Sequence, residues 1–385
     1  METPVERVPL EQVSHLMASG EPLPFRVFDA QGRLLLNEGQ KVLSDSQLQA
    51  LVDRGAWVER SAVAALEAVA ASASAPAPAS RRLSLFDRWE QLIWDLDRLL
   101  KATAAGLHAA PELRELVQRV KAMVDRDADV ALYVSHRQED RRFALYPQAH
   151  ALHCAVLCCL AARQARWTAG REDGLMGAAL TMNVAMVDLQ ARMAEQRDPP
   201  SPRQLEQIRA HPHQGAALLQ AAGIEDPAWL DAVRDHHETP DGRGYPTART
   251  AVGEESRLLR HADVYMAKIT ARAFRPALAP RVAASQLFQQ SGGDALAVAV
   301  IRSVGVHPPG TLVTLASGEV AVILRRGVGT SAPVACTISD TSGRPVAGST
   351  TRQTQEPAFA ITQKPVDLAA FRRIPGERVY GWMEA

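Results

Sequence analysis

Two stretches, LSLFDRWEQLIWDLDRLLKATAAGL and PELRELVQRVKAMVDRD, place apolar residues three and four positions apart, and residues 146 to about 275 stay helix-rich. That period constrains the fold more than any other feature of the chain. Each such helix has an apolar stripe that must be buried, and neighbouring helices are the natural cover. Residues 83–304 are therefore expected to form a helical bundle, and the chain to be mainly α.

Different patterns flank this region. In residues 1–62, FRVFDAQGRLLLNEGQKVL alternates apolar and polar around an Asp-Ala-Gln-Gly turn, as a hairpin does. SDSQLQALVDRGAWVE follows, with Ser44 as the expected N-cap and Leu48, Leu51 and Val52 on one helical face. This predicts a small α/β unit. Residues 63–82, rich in Ala, Ser and Pro, read as a linker. Beyond HPPG at 307–310, TLVTLASGEVAVILRR and APVACTISDTSGRPVAG alternate again, so residues 305–385 are expected to be a β-rich subdomain. No internal repeat is visible.

The 385 residues suffice for two or three domains. Lys+Arg and Asp+Glu both number 43, so a basic nucleic-acid-binding footprint is not expected. The start, METPVERVPLEQV, lacks the pattern of a signal peptide. No uninterrupted run of about 18 apolar residues occurs, which argues against a membrane span. Cys154, Cys158 and Cys159 crowd one apolar segment, with Cys336 far away, an arrangement that suits reduced thiols in the cytoplasm. Cys154 and Cys158, four apart, read as core thiols.

Residues able to carry chemistry are spread over about 115 positions. They are His150 in YPQAHALHCAVLCCLAAR, His211 in IRAHPHQG at an expected helix end, the run His236, His237, Glu238 and Asp241, and Asp263 in RLLRHADVYMAKITARAFR. Histidines and carboxylates from several helices can converge in a bundle and bind a divalent metal. Their order resembles the HD-GYP family of bacterial cyclic di-GMP phosphodiesterases over roughly residues 90–310. The family motif HHExxDGxGYP is met by His236, His237, Glu238, Asp241, Gly242, Gly244, Tyr245 and Pro246. HPHQG resembles its His-Pro-x-x-Gly segment.

The resemblance implies metal ligands at His150, an adjacent His-Asp pair, His211, His236, His237 and Asp263. The pair falls on Met182 and Asn183, the family's phosphate-binding Lys on Met186, and an additional Glu ligand of some members on Tyr146. In the family the Asp of the pair bridges two metals and helps position a water between them. A two-metal clamp lowers the pKa of water from about 15.7 to about 7. Asn183 is neutral and cannot offset two divalent ions about 4 Å apart. His150 and Asp263 are then thin coordination, whereas His211, His236 and His237 can hold one Fe, Mn or Zn ion. The expectation is at most one ion per chain, or none.

Met182 and Met186 are four apart, so they are expected to share a helix face and to close the pocket with apolar side chains. A thioether–imidazole Cu(I) site is the sharper alternative. The resemblance also suggests Arg272 as a substrate-phosphate ligand, with a solvated helix arginine as the plain alternative, and Gly244, Tyr245 and Pro246 as a substrate or partner loop. The Gly-Tyr-Pro turn is equally readable as structural. Expected partners are cyclic di-GMP or a diguanylate cyclase domain, not nucleic acid, and a homodimer is compatible. The expected function is a non-catalytic regulator, with a weak mononuclear phosphodiesterase as the alternative.

Overall fold

The computed structural model describes residues 6–17, 20–64, 83–137, 143–327, 332–346, 348–362, 364, 366, 371 and 376–381. Most of the expected linker, residues 65–82, lies outside the described residues.

The N-terminal unit is a four-stranded antiparallel sheet. Its strands are β1 (Arg7–Pro9), β2 (Val27–Phe28), β3 (Leu34–Leu36) and β4 (Trp57–Glu59), in the order β1-β4-β2-β3. The β2–β3 hairpin turns where the sequence placed it. Asp29 closes the turn by accepting from the backbone N–H groups of Gln31 and Arg33, each at 2.9 Å. Helix α1 (Asp45–Asp53) is capped by Ser44, whose hydroxyl accepts from Gln47 N–H.

The bundle comprises α2 (Leu85–Ala104), α3 (Ala110–Arg126), α4 (Ala128–His136), α5 (Tyr146–Gln164), α6 (Ala169–Thr181), α7 (Val187–Glu195), α8 (Pro202–Ala221), α9 (Pro227–Asp235), α10 (Glu254–Ile269), α11 (Pro280–Gln290) and α12 (Ala295–Val304). Ser84 and Ser201 each form a capping box, with Asp87 and Gln204 respectively. Helix α5 is apolar on nearly every face and packs against α6, α10 and α12. A helix of that kind belongs at the centre of a fold. Phe143–Gln164 is long and apolar enough to cross a membrane, although it contains no unbroken apolar run of that length, and within the fold it is mostly buried, as befits a core helix.

The N-terminal unit and the bundle share one hydrophobic core, running from Val8 to Val304. Ion pairs join the two as well. Lys41 pairs with Asp87 at 3.1 Å, and Arg54 reaches the fully buried Asp97. Asp97 also accepts from Gln148 Nε2 at 2.6 Å, on the first turns of α5. Burying a carboxylate is costly unless it is paired and hydrogen-bonded in this way.

The C-terminal region forms a second antiparallel sheet, β5 (Leu312–Thr314), β6 (Val320–Arg325), β7 (Val334–Thr337) and β8 (Thr351–Gln353), in sequential order. Strand β6 is buried on both faces. Val320, Val322 and Leu324 face Tyr133 and Phe371, and Ala321 and Ile323 face Val313 and Leu315. Arg325 and Arg326 tie it to Asp127 and Asp129 at the start of α4.

Two local expectations are corrected. His211 does not end a helix: α8 runs through Pro212 to Ala221. The segment around Met182 and Asn183 is not continuous helix either. Helix α6 stops at Thr181, and Val184–Met186 form a single 3-10 turn before α7. Met182 and Met186 therefore do not share a helix face; Met182 is fully buried and Met186 half-buried.

Candidate metal centre

The first cluster is built by α8, the end of α9 and the loop after it. Pro212 has no N–H, so the carbonyl of Ile208, four residues back, lacks its helical donor. His211 Nδ1 donates to that carbonyl at 2.6 Å. His236, at the C-cap of α9, likewise donates from Nδ1 to the Val233 carbonyl at 2.7 Å. A carbonyl only accepts, so both protons sit on Nδ1 and both Nε2 atoms carry a lone pair. These two Nε2 atoms face each other at 3.2 Å. Two acceptors cannot satisfy one another, and a cation between them can satisfy both. His237 joins them, with one ligand atom per residue all within 4.8 Å. Burial, then the neighbouring His236, holds His211 down to about 3 and His237 well below its usual range. Neutral imidazole is the ligating form, so this donor set fits a transition metal.

The Gly-Tyr-Pro loop is folded back onto this cluster. A Cβ on Gly244 would lie 2.5 Å from the Glu238 Cα and 2.6 Å from the His237 carbonyl oxygen, so only glycine allows the approach. Tyr245 stacks on His237, with ring centroids 4.5 Å apart. Buried Glu238 accepts from the Thr247 N–H at 2.7 Å and its hydroxyl at 2.8 Å, tying down the far end of the loop. Pro246 is half-buried beside Tyr245. Asp241 is exposed and bonds Thr239 and Arg243 within its own turn, away from the imidazoles.

A second cluster lies between α5 and α10. His150 Nε2 meets Asp263 Oδ1 at 2.7 Å, and Cys154 Sγ lies 3.6 Å from the same nitrogen. Burial opposes ionisation of Asp263, but the hydrogen bond and charge of His150, then of His237 and His236, outweigh it and hold the carboxyl below its usual range. By sequence this position has two donors, His150 and Asp263, and Cys154 reads as packing. The signal available was its i, i+4 spacing from His150, which puts both side chains on one face of α5.

Tyr146 stacks on His150 at 5.6 Å. Its hydroxyl accepts from Arg272 Nε at 3.0 Å and Nη2 at 2.8 Å. Arg272 thus stands beside the second cluster, using two of its five donors on Tyr146. Met182, at the end of α6, and Asn183, 6% exposed, lie on the turn whose backbone passes Gly215 of α8. Behind them Trp229 donates to Thr181 Oγ1 at 2.9 Å; a Cβ on Gly177 would come within 2.3 Å of that ring. The turn is pinned to α9 in this way.

The sequence pattern of the HD domain family matches residues 139–295. A cyclic di-GMP phosphodiesterase of Pseudomonas aeruginosa is 30% identical over 123 residues, which are 31% of this chain and 30% of that protein. The chain therefore spans less than a third of the length of that curated relative. An HDG"Y"P protein of Bdellovibrio bacteriovorus has a similar fold, with a TM-score of 0.50 over 77% of this chain and 97% of its own, at 13% identity.

Proposed function

This chain belongs to the HD-GYP family, and on that premise we propose that it is a non-catalytic regulator in cyclic di-GMP signalling, acting by binding the dinucleotide or a diguanylate cyclase domain. The observation that carries the reading is the turn after α6. Met182 is fully buried there and Asn183 follows it, at the place where the family resemblance implies a charged, bridging pair. In-line attack on a phosphodiester needs an activated water held between two positive centres, and the neutral Asn183 amide provides no anionic bridge to hold that water in place. Met186 offers the phosphate no charge.

Recognition asks for less. Two phosphates and two flat bases can be met by the remaining donors of Arg272 and by the ring of Tyr245. The exposed tip of the loop, Asp241 and Arg243, is available to a protein partner. The assay is direct: turnover of cyclic di-GMP and a binding titration, on the wild type and on Arg272→Ala. Negligible turnover with Arg272-dependent binding is expected. Robust wild-type turnover that His237→Ala abolishes would overturn the reading.

The facing lone pairs of His211 and His236 favour a second reading, a weak mononuclear phosphohydrolase. An ion on the three imidazoles would polarise a phosphoryl oxygen or lower the pKa of a water. Slow turnover that disappears in His211→Ala and is indifferent to Cys154→Ala would support it.

A further inference from the structure

We propose that Cys154 completes a second, rebuilt metal site with His150 and Asp263, selective for a thiophilic divalent ion such as Zn2+. One donor atom from each residue lies within 4.8 Å of those of the other two, and both His150 and Cys154 are buried. A thiolate, an imidazole and a carboxylate in that span match the ligand types of four-coordinate zinc, which would leave one position open. The three donors come from two packed helices: His150 and Cys154 one turn apart on α5, and Asp263 across the interface on α10. Their spacing is therefore set by core packing and not by a loop.

Cys154 is fully buried in the hydrophobic core, and its sulfur lies 3.6 Å from the His150 Nε2. Cys154 is the softest of the three donors and sets the metal preference: thiolate favours Zn2+ or Co2+ over the harder Mn2+. Binding releases the thiol proton and requires His150 Nε2 to give up its proton contact with Asp263. His150 Nδ1 is buried with no hydrogen-bond partner among the described residues, so the ring lacks the second hydrogen bond that fixes His211 and His236. The rebuilt site should accordingly be the weaker of the two.

This inference rests on the placement of the HD-type helices and not on the regulator reading, because it is read by spectroscopy and not by turnover. The experiment is a Co2+ titration of the metal-free, reduced full chain. Two ions per chain are expected, with a thiolate-to-cobalt charge-transfer band in the near ultraviolet. Cys154→Ala should abolish the band and leave one ion. Cys158→Ala should keep the band. His236→Ala should keep the band and lose the other ion. Absence of the band at saturation, or its survival in Cys154→Ala, overturns the proposal. Should Cys154→Ala fail to fold, X-ray absorption on the zinc-loaded wild type decides: a sulfur neighbour at about 2.3 Å is expected, and a shell of nitrogen and oxygen alone refutes it.

Discussion

In the three-histidine cluster, Ile208 holds His211 and Val233 holds His236, each by a carbonyl that fixes which nitrogen faces inward. In the other cluster His150 turns the same kind of ring toward Asp263 and Cys154, with Nδ1 buried and unsupported among the described residues. The first cluster has its lone pairs aligned before any ligand arrives. The second is already satisfied by its own hydrogen bond and must break it to bind. Preorganised donors bind metal more tightly than donors that must rearrange, so one fold can hold two sites of unequal strength.

The largest test of this difference is to restore the missing pair. Met182→His with Asn183→Asp places a carboxylate and a polar ring among apolar neighbours. Without metal this should destabilise the protein by about 3–5 kcal/mol, the scale of an uncompensated buried charge. Mn2+ or Fe2+ should recover part of the loss. Chemical denaturation with and without metal measures it, and an unchanged apo stability would mean that the turn is open to water.

Next in size, His236→Ala should weaken the three-histidine site by roughly 100-fold or more, beyond the range seen on removing mere supporting groups. The site containing His150 should keep its affinity. Competition with a chromophoric chelator reads both, and equal losses at the two sites would show that they act as one.

Acid should weaken the metal-free protein. His136 and His153 belong to neither cluster, and burial lowers them from 6.5 to about 4 and about 3 respectively. The unfolded chain takes up their protons near pH 6.5, while the folded chain does so only near 4 and 3. Their contribution is therefore complete above about 6.5 and is lost as the pH falls toward those values. Each should remove about 2 kcal/mol between pH 7 and pH 5. Melting curves in chelator at the two pH values test this, and a flat profile would place water beside these rings.

The smallest effect sharpens the comparison most. Pro212→Ala returns a backbone N–H to α8, which then competes with His211 for the Ile208 carbonyl. Metal affinity at the three-histidine site should fall about 10-fold, with fold stability equal or higher and the Cys154 site untouched. Unchanged affinity would show that the ring is held by packing alone.

The sequence by itself determined the helical bundle, the hairpin at Asp29, the Ser44 cap and the alternating strands near the C-terminus, because periodicity and capping are local properties. The full His-His-Glu…Gly-Tyr-Pro motif also marked His236, His237 and the loop, and the order of residues around it marked His150, His211 and Asp263. What the tertiary structure decided was geometry between elements. Met182 and Met186 read as one helix face until α6 ended at Thr181, since a helix stop without Gly or Pro leaves no local signature. Pro212 read as a helix end because its own neighbours do not reveal that a side chain takes over the orphaned carbonyl. Cys154 is the core thiol its apolar helix implies, and only the tertiary structure shows its sulfur 3.6 Å from the His150 Nε2. Asp263 lies more than a hundred residues further on, and only the docking of α10 against α5 brings it within reach.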